Sequence, residues 1–160
     1  MNPIHSRINA VDPDFQTCLE CHAMLSIYPG EMHPDNISEL LNIEPTEKFI
    51  VGDEITNSLG RTRKVKISSW FLSSENNVKS KDLREHIDWV IDKLSASHSG
   101  LRELQNTSGI QMTLRCVWWS AYGEGGPVLW PEQMKALADL DLECSLNIYF
   151  LPDEEENIDE

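Results

Sequence analysis

Nowhere in the 160-residue chain does an apolar run approach the roughly 20 residues needed to cross a bilayer. The opening Met1-Asn2-Pro3-Ile4-His5-Ser6-Arg7 leads into no apolar stretch of signal-peptide length, so a cytoplasmic protein without a membrane role is expected. Cysteine is scarce: Cys18, Cys21, Cys116 and Cys144 are too few for a disulfide-stapled secreted scaffold. Cys116 and Cys144 fall in apolar strand-like runs, where a packed thiol is expected before a bridge. No Pro/Gly-rich linker divides the chain, which predicts one domain over residues 1-152. Positive charge is also short, with 13 basic against 27 acidic residues and a net charge of -14. Six of those acids crowd into residues 153-160, so the remainder holds 21 against 13 and still carries -8. Such a surface repels phosphates and argues against a nucleic-acid partner. The basic run Arg61-Thr62-Arg63-Lys64-Val65-Lys66 is read as a solvated hairpin or loop edge. The acidic tail 153-160 has one apolar residue, Ile158, and is expected to be flexible and dispensable for folding.

What is present reads as alternating strands and helices. After an irregular arm over residues 1-17, Cys21, Ala23, Leu25 and Ile27 alternate with a less apolar set, the period of a half-buried strand. Pro34 opens a short helix carrying Ile37, Leu40 and Leu41, and Glu44-Pro45 ends it. Residues 46-64 read as loop, and 65-72 as a second strand whose inward face is ambiguous, since Ile67 and Phe71 alternate with Trp70 and Leu72. The clearest helix starts near Ser80, with Leu83, Ile87, Val90, Ile91 and Leu94 on one stripe. Ser99-Gly100 and Thr107-Ser108-Gly109 mark a turning region between Ser95 and Gly109. A long strand follows, with Met112, Leu114, Cys116 and Trp118 on one face. Pro131 opens a third helix, and a last strand places Cys144, Leu146, Ile148 and Phe150 on one side.

The two short helices align at a shift of 97 positions, Pro34 on Pro131, Ile37 on Met134, Leu40 on Leu137, Leu41 on Ala138 and Ile43 on Leu140. This predicts an internal strand-helix-strand duplication. Helices must cover the apolar sheet face, which gives an α+β two-layer sandwich with a mainly antiparallel sheet, ferredoxin-like in general character. The strand order stays open.

Patterns that carry chemistry are thin. Cys18-Leu19-Glu20-Cys21-His22 has the form of a haem-attachment motif, yet without a partner Cys-x-x-Cys or an export route the thiols read as structural. Tyr122-Gly123-Glu124-Gly125-Gly126-Pro127 lacks both the Lys-Ser/Thr ending and the Gly-x-Gly-x-x-Gly spacing of phosphate loops, and reads as a turn. None of the five histidines has a metal-ligand spacing, and His86, four after Asp82, suits a surface pair. No catalytic residue, cofactor or metal is expected. Trp118-Trp119 is the suggestive feature. If Trp118 enters the core, Trp119 lies on the other face beside Arg115 and Val117. There it is either covered by the N-terminal arm or central helix, or offered to a partner. The functional expectation is a non-enzymatic protein-binding module, immunity-type or regulatory, using Arg115, Val117, Trp119, Gly123, Glu124, Gly125 and Gly126 toward a protein partner of basic character. A small-molecule-binding protein or a hydrolytic enzyme with an unidentified pocket is the alternative.

Several stretches resemble one known family. They include Ile37-Ser38-Glu39-Leu40-Leu41-Asn42-Ile43-Glu44-Pro45-Thr46, Ser69-Trp70-Phe71-Leu72-Ser73, Asp88-Trp89, Cys116-Val117-Trp118-Trp119-Ser120, Gly123-Glu124-Gly125-Gly126-Pro127 and Leu146-Asn147-Ile148-Tyr149. Over roughly residues 21-150 the chain resembles the domain of unknown function 4279 family, with Asp141 where a glycine is common before the last strand. That resemblance implies no catalytic assignment and favours interaction over catalysis.

Overall fold

The computed structural model describes residues 5-151; the expected acidic tail lies outside them. Strand β1 (Cys18–Tyr28) alternates as the sequence predicts, with Cys21, Ala23, Leu25 and Ile27 buried. Helix α1 (Pro34–Leu41) begins with its proline in the first turn, where a missing amide hydrogen costs nothing, and ends on Asn42 in the left-handed conformation. Three short strands follow, β2 (Glu47–Phe49), β3 (Glu54–Thr56) and β4 (Thr62–Lys64), within the span expected to be loop. The basic run contributes β4, the fully exposed arm of a β3-β4 hairpin. Strand β5 (Ser69–Ser73) resolves the ambiguous face: Trp70 and Leu72 are core, Phe71 is half-buried opposite them, and Ile67 stands 64% exposed outside the strand.

Helix α2 (Leu83–Leu94) buries Leu83, Ile87, Val90 and Leu94, while Ile91 packs at the rim of the same core. The expected turning region contains a further helix, α3 (His98–Gln105), seated on Leu101 and Leu104. Gly100 lies inside α3 because a Cβ there would stand 1.9 Å from the Leu40 carbonyl oxygen of α1. It is a contact glycine, not a helix stop. Strand β6 (Gln111–Ser120), helix α4 (Pro131–Asp139) and strand β7 (Cys144–Phe150) complete the chain.

The main sheet has the order β2-β5-β1-β6-β7, antiparallel except for the parallel β6-β7 pair. Buried residues of all four helices join Leu25, Leu72, Leu114, Cys116 and Trp118 in one cluster, so the helices form a single layer on one sheet face. The mixed α+β class holds. The two strand-helix-strand units, however, close differently: β1 pairs antiparallel with β5, whereas β6 pairs parallel with β7. Both prolines begin their helices, yet Ile37 is fully buried where its counterpart Met134 is 51% exposed. The amphipathic stripe shared by the two segments thus meets different surroundings in each.

Candidate functional site

Period-two geometry sends Arg115, Val117 and Trp119 to the sheet face opposite Cys116 and Trp118. All three are half-buried there, while Cys116 and Trp118 are closed in the core. The central helix lies on the other side of the sheet and does not cover Trp119. Among the described residues no helix packs on this face.

Strand register arranges the face as a grid. Trp119 has Glu20 across β1 and Tyr149 across β7; Val117 has His22 and Asn147; Arg115 has Met24 and Ser145. The Trp119 and Tyr149 rings stack, with centroids 4.7 Å apart at 23°. At the other end Phe71 meets both Tyr28 and Phe49 edge-on, each with centroids 6.1 Å apart. Arg115 reaches between the two aromatic groups, its Nη2 donating to the Tyr28 hydroxyl at 3.5 Å. Beneath them Ser26 is fully enclosed, and its hydroxyl has no hydrogen-bond partner among the described residues. The site roles of these aromatic residues and of Glu20 are not visible in the sequence, because only the cross-strand register brings Tyr149 and Glu20 beside Trp119 and joins Tyr28, Phe71 and Phe49 at the other end of the same face.

The glycine turn leaves the end of β6 that carries Trp119. Gly123 and Gly125 have φ of 70° and 82°, and a Cβ on Gly125 would fall 2.5 Å from Thr17 Oγ1. The Ser120 hydroxyl donates to the Glu124 carbonyl at 2.8 Å, and the Ala121 amide to that of Thr17. Gly123, Glu124 and Gly125 are exposed and Gly126 is half-buried, and the turn is braced against the arm before β1.

Other chemistry-bearing groups are taken up by the fold. His86 is no surface partner of Asp82. It is 1% exposed, with Nε2 2.7 Å from the Ser80 carbonyl and Nδ1 2.7 Å from the Ser74 hydroxyl. A carbonyl only accepts, so Nε2 carries the hydrogen and Nδ1 accepts from Ser74, whose oxygen in turn accepts from the Ala23 amide. Ser74 is itself fully enclosed, so this serine-histidine contact is closed to a substrate. Burial, the foremost influence, pushes the His86 pKa down and keeps the ring neutral.

Cys18 and Cys21 are buried on the helix side of β1, whereas His22 faces the opposite way. The haem-like triplet is therefore split across the sheet. The Cys116 and Cys144 sulfurs lie 3.8 Å apart as free thiols. Hydrogen bonding between them lowers the pKa of Cys144 and raises that of Cys116. No group of three or more His, Cys, Asp or Glu side chains among the described residues could hold a metal ion. No helix of the described residues is long and apolar enough to cross a membrane.

Neither the curated proteins nor the solved structures contain a match to this chain. The model of the family described as Domain of unknown function (DUF4279) matches residues 19-151, and the chain belongs to that family.

Proposed function

We propose that the domain is a non-enzymatic protein-binding module, immunity-type or regulatory, that takes a basic polypeptide on its helix-free sheet face. The observation that carries this reading is the Trp119-Tyr149 stack, with Glu20 directly across from Trp119, on a face that no helix of the described residues covers. A lysine or arginine of the partner laid over the tryptophan ring gains a cation-π contact, worth about 0.5-2 kcal/mol depending on desolvation. Glu20 adds opposite charge beside it. Half-buried aromatics are held rigid before binding, so little side-chain entropy is lost on contact. Val117 extends the apolar strip, and Arg115 offers donors to partner carbonyls. Gly123, Glu124, Gly125 and Gly126 form the rim at the Trp119 end. The acidic excess of the chain speeds the encounter with a basic partner and disfavours acidic ones.

A small-molecule-binding protein or hydrolytic enzyme is the alternative, favoured by an open cleft of about 530 Å³ beyond the other aromatic group, lined by Tyr28, Val51, Lys66, Ile67, Ser68 and Gln111. It contains one cation and no carboxylate, histidine or cysteine, which supports binding over hydrolysis.

The test is affinity capture from the source cell, followed by titration of the captured partner against wild type, Trp119→Ala and Glu20→Lys. Loss of tenfold or more in both variants is expected. Undiminished affinity in Trp119→Ala rejects this surface. Reproducible substrate turnover with no specific partner rejects the module itself.

A further inference from the structure

The two edges of the main sheet are built in opposite ways. Strand β2, at one edge, is three residues long and carries Glu47 and Lys48, the short charged form that discourages pairing with another chain. Strand β7, at the other edge, runs seven residues, Cys144-Ser145-Leu146-Asn147-Ile148-Tyr149-Phe150, without a charge, a proline or an irregularity in its pairing to β6. The amide of Leu114 donates to the Glu143 carbonyl. Alternation along a parallel ladder then turns the N–H and C=O groups of Cys144, Leu146, Ile148 and Phe150 toward the open edge.

The side chains of this edge are equally unprotected. Register places Leu146 beside Cys116 and Ile148 beside Trp118, on the side that the helices cover elsewhere in the sheet. They are instead 47% and 40% exposed, with Phe150 at 55%. The reason is the position of α4. It leans back toward α2, where the Gln133 amide donates to Asp88 at 2.9 Å, and no helix of the described residues covers the last strand. Met134 on α4 and Leu151, just past the strand, are also exposed, at 51% and 56%.

We propose that β7 is the contact strand of a symmetric homodimer, in which two copies pair antiparallel about a two-fold axis at Asn147 and merge their five-stranded sheets into one. Pairing centred there sets Leu146 against Ile148 and Cys144 against Phe150 of the second copy. These are the residues whose main-chain groups point outward, so the ladder closes over the full strand. The uncharged strand is where a second copy meets least repulsion. Each chain carries -14, and β7 is a stretch on which two such chains meet without opposing carboxylates, whereas a basic partner finds no countercharge on it. Area is consistent with a modest interface. Leu146, Ile148 and Phe150 leave on the order of 270 Å² of apolar surface per copy, near the low end of the largest patches on soluble monomers. Two copies bury about twice that, and the paired backbone and flanking side chains supply the remainder of the roughly 1,000 Å² floor of a specific interface. Asn147 and Tyr149 bring β7 to the border of the Trp119 face, but the contact is made through the strand edge and its helix side and does not rest on the partner reading above.

The experiment is sedimentation velocity of the full chain from low to high micromolar concentration, at low and high salt. A concentration-dependent dimer is expected, tightened by salt as repulsion between the acidic chains is screened. Ile148→Lys, which changes an exposed side chain, should be monomeric while keeping the wild-type circular dichroism spectrum. Asn147→Cys should form a covalent dimer under oxidised glutathione well beyond the level seen with the four native cysteines alone. A wild type that stays monomeric throughout overturns the proposal, as does a dimer that persists in Ile148→Lys. A monomer that instead accepts a foreign peptide strand, blocked by Ile148→Lys, overturns the second copy as occupant.

Discussion

Arg84 and Asp82, two residues apart at the start of α2, close a two-pronged ion pair inside the protein. Arg84 Nε donates to Asp82 Oδ1 at 2.9 Å and Nη2 to Oδ2 at 2.7 Å, with both side chains at 1% exposure or less. The guanidinium also donates to the carbonyls of Asn9 and Ala10 and lies over the Trp130 ring. Asp82 caps α2 and accepts the Asp12 amide. This pair therefore fastens the N-terminal arm to the helix layer. Burial, the largest influence on Asp82, pushes its carboxyl pKa up; the hydrogen bonds from Arg84 and two amides outweigh it and hold the pKa below its ordinary value.

Arg84→Ala leaves that carboxylate buried and unpaired, and should cost about 3-5 kcal/mol of unfolding free energy, measured by urea denaturation. A folded-state pKa below the unfolded one means that the Asp82 contribution is present above about pH 3.8 and is lost as pH falls through the folded value. The acid-unfolding midpoint of the variant should accordingly lie higher than that of wild type.

Gly100→Ala forces a methyl group into the backbone of α1, so α3 and α1 must separate. Overpacking of this kind costs about 1-3 kcal/mol, and a backbone obstacle belongs at the upper end. Gly123→Ala is a useful contrast: there a Cβ meets nothing within 4 Å, and strain comes only from its positive φ.

Ile87→Ala should cost about 2-5 kcal/mol, since its side chain is fully enclosed in the stripe of α2. A loss below about 0.5 kcal/mol in thermal or urea unfolding would contradict this placement.

His86 is neutral in the fold, and its pKa lies below the ordinary 6.5. Its stabilising contribution is full above about pH 6.5 and is lost as pH falls toward the folded value, because the unfolded chain takes up the proton first. Unfolding free energy should decline through this window by up to about 1.4 kcal/mol per pH unit. His86→Gln should flatten that slope, and nitrogen NMR of the imidazole should show hydrogen on Nε2 at neutral pH.

Much of the fold was legible wherever a short-range pattern decided it. Period two in Cys21-Ile27 and Met112-Trp118, the stripe of α2 and prolines 34 and 131 each stand for a local constraint on backbone or burial. The missed helix α3 shows the opposite case. Its signal, Leu101 and Leu104 three apart, was present, but Gly100 looks like a stop unless the approach of α1 is known. Likewise the spacing of Asp82 and His86 suggests a surface pair, although Asp82 serves a buried network with Arg84, Asp12, Asn9 and Ala10, and His86 one with Ser74, Ser80 and Ala23.

By itself the sequence determined the alternation of strands and helices, the opposite facing of Trp118 and Trp119, and the acidic balance, because each depends on residue spacing or composition alone. Only the tertiary structure decided the strand order, the stacking of Tyr149 on Trp119, the capture of the arm by Arg84 and the exposure of Leu146, Ile148 and Phe150. These depend on which distant segments become neighbours. A residue's apolar character says that it gains by burial, but the placement of α4 decides whether anything is there to bury it.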